Sequence, residues 1–271
     1  MSASPTTIPI DGTHTRRARF DELVAESTAF GGDRWRDPAW GGIDAWSSIV
    51  SARQYRHLFD MVDRFVPAGG HVLDWGGGSG RVSWCLLREG YRVSAGDLVV
   101  PPLVDELGAF GGNRYDFTRL DGSTSLPYDD SRFDAVLSVG VLEHVPETGG
   151  DEQASLREIH RVLRPGAVFV CTHLPNRWSW IDFAARHLRR DLHHHVYRYT
   201  ASDIRRMATE AGFELVSMGR HGMLPRNRAA RLPAALSDTA RGAAAFDAVD
   251  RALGRVLAPL VQNWFWVGRA A

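Results

Sequence analysis

Apolar and polar positions divide the chain into a first part with helical patterning and a second part in which short apolar runs alternate with helices. Helices are predicted over RVSWCLLREG, over EQASLREIHRVLRPG with its end at Pro-Gly, and over ASDIRRMATEAG with a Ser/Asp start. From His71 onward, strands are predicted over HVLDW, YRVSAGD, the segment before Asp121, RFDAVLSVG, AVFVCTHL, FELVSMG and NWFWVGRA. This alternation predicts an α/β fold whose sheet is mostly parallel and is covered by helices on both faces.

The same patterning gives a domain organisation. Residues 1–15 are polar and are predicted to form a disordered tail. Residues 16–66 are predicted to form a helical N-terminal cap, and residues 67–271 the main domain. Within that domain, residues 221–262 form a helical insertion before the last strand.

Composition narrows the class of protein. The 271 residues are 44% hydrophobic and 24% charged, and Lys+Arg and Asp+Glu both number 32. A chain with zero formal net charge lacks the basic field typical of nucleic-acid binders, so we expect no nucleic-acid partner. Cys85 and Cys171 lie far apart in apolar surroundings, which predicts buried free thiols. The first residues lack the apolar core of a secretory signal, and we expect a cytoplasmic protein.

The glycine-rich stretch VLDWGGGSG, residues 72–80, follows the first predicted strand. At the carboxyl end of such a strand, glycines let a ligand lie against the bare backbone. A phosphate-binding P-loop requires Gly-Lys-Ser/Thr, and a dinucleotide-binding G-x-G-x-x-G requires glycine where Arg81 or Ser83 stands, so both are excluded. The pattern present is D-x-G-x-G-x-G, on Asp74, Gly76, Gly78 and Gly80.

Two further acidic positions fit a nucleoside. Asp97 ends the second strand, 23 residues after Asp74, where a carboxylate can accept both hydroxyls of a ribose. Asp121 and Gly122 follow the third strand, where an acidic residue can accept from an adenine amino group. The segment SVGVLEHV, residues 138–145, ends the fourth strand.

These motifs, in this order and followed by LREIHRVLRPGAVFV, resemble the class I S-adenosylmethionine-dependent methyltransferases of the methyltransferase type 11 kind. The resemblance runs from about Tyr55 to Gly219. It implies a Rossmann-like fold with a seven-stranded sheet, an antiparallel last strand over NWFWVGRA, and S-adenosyl-L-methionine as the cofactor. Residues 67–271 would then be the methyltransferase domain.

The resemblance also implies roles for individual residues. Asp74 and the backbone of Gly76, Gly78 and Gly80 would hold the methionine end of the cofactor. Asp97 would bind the ribose and Leu98 would lie on the adenine. The adenine edge would face Asp121 and Gly122. The wall near the sulfonium would consist of Ser138, Val139, Gly140 and Val141. Trp75 stands where a small residue is common, and we expect it to pack below the pocket.

Methyl transfer requires alignment of acceptor and methyl group, and a hydroxyl acceptor benefits from a base. We predict His144, in LEHV, and His195, in HVYRYT, as catalytic candidates, although a structural role for either is an alternative. His173, at a strand end, is a third candidate. His193, His194 and His195 are consecutive, and because adjacent residues of an extended chain point to opposite faces, we expect no metal site there.

The acceptor is described only by class. Trp178 and Trp180, with Trp35, Trp40 and Trp46, would make an aromatic-walled acceptor site, although core packing is the alternative for each. We expect a small molecule or a glycan- or lipid-linked acceptor, methylated at oxygen. A quinone or polyketide O-methyltransferase and a non-catalytic cofactor-binding module are alternatives. The insertion 221–262 could cover the acceptor site, touch a membrane surface or pair two subunits.

Overall fold

The computed structural model describes residues 15–36, 46–188 and 194–271. Seven strands form one sheet in the order β3-β2-β1-β4-β5-β7-β6. Their bounds are β1 His71–Trp75, β2 Arg92–Asp97, β3 Tyr115–Arg119, β4 Phe133–Val139, β5 Leu163–Pro175, β6 Phe213–His221 and β7 Asn263–Ala270. Strand β7 is antiparallel to both β5 and β6, whereas the other paired strands run parallel. The predicted fold class is therefore confirmed.

Helices connect the strands and precede the sheet. They are α1 Thr15–Gly31, α2 Ile49–Ala52, α3 Arg56–Phe65, α4 Arg81–Arg88, α5 Val104–Gly111, α6 Glu152–Val162, α7 Trp180–His187, α8 Ala201–Glu210, α9 Ala234–Ser237 and α10 Ala240–Val256. Short 3-10 turns occupy Gly32–Arg36, Arg53–Tyr55, Gly112–Arg114, Leu142–His144, Pro146–Thr148, Arg226–Arg231 and Ala258–Leu260. Except for Thr15, the predicted tail over 1–15 lies outside the described residues.

Alternate residues of each strand point to opposite faces of the sheet, so the strands contribute to two cores. Val72 of β1 packs with α1, α3 and α4 on one face, in a cluster that includes Leu23, Leu58 and Leu86. Leu73, the next residue, packs on the other face with residues of α6 and α8. The early helices thus bury their apolar side chains against the sheet itself.

One predicted helix boundary is wrong, and one helix has a different cap from the one predicted. The helix predicted to end at Pro-Gly ends at Val162, because Leu163 already pairs with Phe133 of β4 and begins β5. Helix α8 is capped by Thr200 rather than by a residue of the ASD sequence. Thr200 and Asp203 form a reciprocal capping box, in which each side chain accepts a hydrogen bond from the other residue's backbone N–H.

The two cysteines are buried and free, as predicted. Cys85 lies in the core on the α4 face and Cys171 in the core on the other face, so the sheet separates them. Among the described residues, no helix is both long enough and apolar enough to cross a lipid bilayer.

Candidate active site

The glycine loop leaves β1 and immediately approaches the neighbouring strands. The Gly76 N–H donates to the carbonyl oxygen of Gly96 at the end of β2, over 2.7 Å. Gly76 has a φ of +69°, a backbone conformation that residues with side chains rarely adopt. A Cβ at this position would also overlap the methyl groups of Val141. Glycine is therefore required here both by the backbone conformation and by the close approach of the segment after β4.

Asp74 lies beneath this loop and is only 2% exposed. Its Oδ2 accepts a hydrogen bond from the hydroxyl of Ser83, in the first turn of α4, over 2.6 Å. The pKa of Asp74 is raised to about 6, mainly by burial and also by the negative charge of Asp97, whereas the Ser83 hydrogen bond opposes the shift. The carboxyl group thus links the end of β1 to the first turn of α4, on either side of the glycine loop.

Asp97 holds the loop from the side. Its Oδ2 accepts from the backbone N–H of Gly78 over 2.8 Å, and its Oδ1 accepts from the N–H of Val99 over 3.2 Å. The carboxylate therefore joins the end of β2 to the middle of the glycine loop. Both oxygens retain further lone pairs that can accept hydrogen bonds from a ligand.

A cavity of about 240 Å³ opens between the ends of β1, β2 and β4. Seven of the residues predicted to contact the cofactor line it: Gly76, Gly78, Asp97, Leu98, Gly122, Gly140 and Val141. Five others predicted to do so are not among the lining residues: Asp74, Gly80, Asp121, Ser138 and Val139. Asp74 and Gly80 support the loop from outside the cavity, since Gly80, with a φ of +88°, is the N-cap of α4. Asp121 is exposed, and Ser138 is fully buried.

Several lining residues escaped the sequence analysis. These are Gly96, Leu120, Ser123, Val145 and Thr148. Each lies within four residues of a predicted site position, so the only available signal was proximity in sequence. Trp75 lines the cavity and is also 2% exposed within the core. It therefore combines the packing role that we predicted with a place in the wall.

The structure brings the two predicted catalytic histidines together. The rings of His144 and His195 lie 6.1 Å apart between centroids, and His144 lines the cavity. The Nδ1 atom of His144 lies 2.8 Å from Glu147 Oε2, and the Nδ1 atom of His195 lies 3.6 Å from Asp182 Oδ1. Each imidazole is thus placed beside a carboxylate that can orient its ring.

The loop that carries His195 is anchored to the end of β5. Tyr199 forms a parallel bridge with Asn176, and the Tyr199 N–H donates to the carbonyl of Pro175 over 2.8 Å. The indole of Trp264, on β7, donates to the carbonyl of Tyr199 over 3.0 Å. Asp182 fixes the histidine locally, because its Oδ1 accepts from the His195 backbone N–H over 2.9 Å.

Glu143 lies under these histidines and is 3% exposed. Its pKa is raised to about 8, mainly by burial and also by the charges of Glu147 and Glu152. At neutral pH the carboxyl is therefore mostly protonated and can donate a hydrogen bond. One oxygen lies 4.0 Å from Nε2 of His144.

The described tryptophans of the predicted acceptor wall, unlike Trp75, do not line this cavity. Trp35 and Trp46 are 4% and 7% exposed and belong to the core on the α4 face, where the guanidinium of Arg81 lies over both rings. Trp180 donates through its indole N–H to the Met223 carbonyl, and Trp178 is 60% exposed. Trp40 lies outside the described residues. The predicted aromatic wall is thus not found at the cavity.

The residues present fit S-adenosylmethionine. A cavity lined by Gly76 and Gly78, where a ligand meets bare backbone, adjoins the Asp97 carboxylate that can accept from ribose hydroxyls. Leu98 and Leu120 provide apolar surface for a purine ring. Gly140, Val141 and His144 also line the cavity, so the histidine pair adjoins the same space.

Known proteins that are similar to this chain are methyltransferases. Residues 50–218 match a family described as a methyltransferase domain. Over 231 residues the chain is 29% identical to a ubiquinone biosynthesis O-methyltransferase of Xanthomonas axonopodis, covering 80% of this chain and 91% of that protein. A ubiquinone/menaquinone C-methyltransferase of Desulfotalea psychrophila is 32% identical over 146 residues, which is 52% of this chain and 57% of the other.

A solved structure shows the same fold. The 1,6-didemethyltoxoflavin-N1-methyltransferase of Burkholderia thailandensis, solved with its substrate and S-adenosylhomocysteine, aligns with a TM-score of 0.51 at 22% identity. The alignment covers 98% of this chain and 93% of that one. Together with the family match and the glycine loop, Asp97 and the sheet order, these findings show that the chain belongs to the class I S-adenosylmethionine-dependent methyltransferases.

Proposed function

We propose that this enzyme transfers a methyl group to an oxygen atom of a small organic molecule or of a glycan- or lipid-linked acceptor, and that His144 and His195 assist the transfer. The observation that carries the proposal is the meeting of these two histidines at the end of the cofactor cavity, each beside a carboxylate. Oxygen acceptors require removal of a proton, and imidazole is suited to that task near neutral pH.

S-adenosylmethionine supplies a methyl group on a positively charged sulfur, which departs as a neutral thioether. The chain must therefore align the acceptor and exclude water more than it must activate the donor. His144 lines the cavity and is the nearer base for a hydroxyl placed there. The ring of His195 lies 6.1 Å from that of His144, on a loop that hydrogen bonds of Tyr199 and Asp182 hold in place.

Exposed apolar side chains in the segment that contains α7 and His195 support an acceptor with a lipid part. On α7 and the residues on either side of it, large apolar side chains are exposed to 60% or more: Trp178, Phe183, Leu188 and Val196. Large exposed apolar side chains are a feature of surfaces that bind lipids or partners. They also support the expectation of peripheral contact with a membrane. The unpaired thiols of Cys85 and Cys171 support a cytoplasmic location.

The long match to a ubiquinone O-methyltransferase supports a phenolic or quinone-like acceptor as the first class to test. We would incubate the enzyme with S-adenosylmethionine carrying a ¹³C methyl group and with four acceptor classes: hydroxylated quinone precursors, polyketide alcohols, glycosides and lipid-linked sugars. The carbon chemical shift of the product distinguishes a methyl group on oxygen from one on carbon or nitrogen. A product methylated only on carbon would contradict the proposal.

Variants test the histidines. His144→Gln and His195→Gln should each lower kcat, by about 10² for a lost general base, and leave the affinity for S-adenosylmethionine unchanged. His160→Gln, in α6 beneath Gly212, is the matched control and should retain full activity. Full activity in both active-site variants would show that neither His144 nor His195 acts as a general base. Cofactor binding without turnover of any acceptor would favour the non-catalytic module.

A further inference from the structure

Three histidines from distant parts of the chain meet beside the carboxyl ends of β5 and β6. They are His57 on α3, His173 on β5 and His221 on β6. Ring centroids lie 3.7 Å apart for His57 and His221, 4.8 Å for His173 and His221, and 5.7 Å for His57 and His173. One ring nitrogen from each histidine lies within 4.8 Å of the other two.

The Nε2 atoms of this histidine cluster are buried and have no hydrogen-bond partner among the described residues. Buried polar atoms are almost always paired, so three orphaned nitrogens at one place indicate a missing partner. Two of the rings have another polar partner. The ring of His57 hydrogen-bonds to the backbone of Gln54, and Nδ1 of His173 lies 3.2 Å from the Thr172 hydroxyl. When Nδ1 of a histidine donates its proton to such a partner, the lone pair is on Nε2.

The surroundings keep these rings unprotonated. Burial lowers the pKa of His57 to about 4 and the pKa values of His173 and His221 well below the ordinary value of 6.5. The positive charge of Arg226 lowers the pKa further for His57 and His221. Protons therefore do not compete for the lone pairs at neutral pH.

His173 is also held in an uncommon backbone conformation. Its φ of +60° is shared by only one other non-glycine residue in the described part of the chain, Ser131. The pairing of β5 with β7 shifts register between Cys171 and Leu174, so His173 lies in a bulge. Bulges and left-handed residues re-aim side chains and occur often at functional sites. The strand departs from regular pairing at the residue that joins the cluster.

We propose that His57, His173 and His221 bind a divalent transition-metal ion, Zn²⁺ being the best match, through their Nε2 atoms. Three imidazoles suit zinc, and a site with three protein ligands keeps its fourth position open. In tetrahedral coordination the nitrogens would lie about 3.4 Å apart, so shifts of about an ångström or less would close the present arrangement. From the sequence, the consecutive histidines at 193–195 were the histidine group that suggested a metal, and no site was predicted there.

The open position would face a cavity of about 510 Å³ that His57 and His221 line. Five arginines and three aspartates also line it, so the cavity favours anions. An anionic oxygen ligand such as a carboxylate, phosphate or hydroxide would complete the coordination. His173 borders the cofactor site as well, because its Cβ lies 3.8 Å from where a Cβ on Gly140 would be.

The first test is metal binding by the full-length, untagged protein after removal of metals with a chelator. Zinc titration by calorimetry, in competition with a chromophoric chelator, should give one tight site per chain. Co²⁺ should give the intense visible absorption of tetrahedral coordination, and adding acetate or inorganic phosphate should change that spectrum. Absence of zinc binding by the parent protein would overturn the proposal. A spectrum unaffected by either anion would overturn the open position.

Variants then locate the site. His57→Gln, His173→Gln and His221→Gln should each weaken zinc binding at least tenfold. His160→Gln is the control, since its Nε2 is also buried and unpartnered but lies outside the cluster. His144→Gln tests the other group of close ligands, Glu143, His144 and His195. Loss of zinc binding only in His144→Gln would overturn the assignment. Far-UV circular dichroism and the urea unfolding midpoint of every variant verify folding and do not depend on metal, cofactor or turnover.

Discussion

The hydroxyl of Ser83 donates a 2.6 Å hydrogen bond to Oδ2 of Asp74, beneath the loop that lines the cofactor cavity. Both residues are almost completely buried. This bond opposes the effect of burial on the Asp74 pKa, and it links the end of β1 to the first turn of α4. The shape of the glycine loop therefore depends on a pair of residues that do not line the cavity.

Replacing Ser83 with alanine should destabilise the enzyme by about 1–3 kcal/mol at pH 7.5, because a buried acceptor loses its donor. The Asp74 pKa, already raised to about 6, should rise further. The proton stays on the folded protein to a higher pH than on the unfolded chain, so the free energy of unfolding falls as pH rises between about 4 and 6 or above. At pH 4.5 the Asp74 carboxyl is protonated in the folded state of both proteins. The destabilisation caused by Ser83→Ala should therefore be smaller at pH 4.5 than at pH 7.5. Urea unfolding at both pH values measures it.

Ser27→Ala is the control for this prediction. Ser27 is also fully buried, and its hydroxyl has no hydrogen-bond partner among the described residues. Its removal should change stability less, and equally at the two pH values. Equal losses in the two variants at pH 7.5 would show that the Ser83 bond contributes nothing specific.

Asp97→Asn should weaken S-adenosylmethionine binding by about 10- to 100-fold, as expected for the loss of hydrogen bonds to a charged acceptor. The carboxylate that adjoins the cavity also accepts from Gly78 and Val99, and an amide cannot accept at both positions. Calorimetric titration measures the affinity. Asp129→Asn, at an exposed position, should leave it unchanged, and an unaltered affinity in Asp97→Asn would contradict the ribose assignment.

Glu143 should make stability depend on pH in a different range. Its pKa is raised from 4.5 to about 8, so the folded state binds a proton that the unfolded chain loses first. The contribution of Glu143 to the free energy of unfolding should therefore fall between pH 4.5 and about 8. In Glu143→Gln this contribution is absent, and the variant should gain stability relative to the parent as pH rises.

Urea unfolding of both proteins at pH 5, 6.5 and 8 tests this expectation. The side chains of Glu147, Glu152 and His144 lie close to Glu143. The comparison of parent with variant cancels much of their contribution to the pH dependence of stability. Glu210→Gln, at an exposed site on α8, should follow the parent at all three values. A constant difference between Glu143→Gln and the parent would show that Glu143 is not protonated in the folded state.

Gly76→Ala should lower the free energy of unfolding by more than the strain of a left-handed backbone conformation alone. An L-residue there costs about 1–2 kcal/mol, and the new methyl group also overlaps Val141, which adds about 1–3 kcal/mol. Gly90 has a φ of +91° with open space around its Cβ position, so Gly90→Ala carries only the first cost. Cofactor affinity should fall in Gly76→Ala and persist in Gly90→Ala. Retained affinity in both would mean that the loop can relax.

The local patterns were sufficient for much of the fold. NWFWVGRA was predicted as a strand, and β7 spans those residues. The D-x-G-x-G-x-G motif predicted a ligand loop because left-handed glycines leave a mark in the sequence itself. The α6 boundary was wrong because Leu163 prefers the pairing offered by Phe133, a contact that the local pattern does not contain.

The tryptophans and the histidine cluster show where sequence reasoning ended. Trp35 and Trp46 have the same side chain whether they pack in a core or line a site, and only burial distinguishes the two roles. His57 and His221 are 164 residues apart, and nothing near either position suggests the other. Their meeting follows from the sheet order, in which β7 separates β5 from β6.

That sheet order has a consequence for biosynthesis. During translation β5 and β6 leave the ribosome before β7, yet each of them must wait for β7 to obtain its hydrogen-bonded neighbour on that side. Until residues 263–270 emerge, His173 and His221 have no common scaffold, although the glycine loop and Asp97 are already synthesised. The nascent chain should therefore acquire its donor-binding half early and the histidine cluster last, with two uncovered strand edges in between that a chaperone would need to protect.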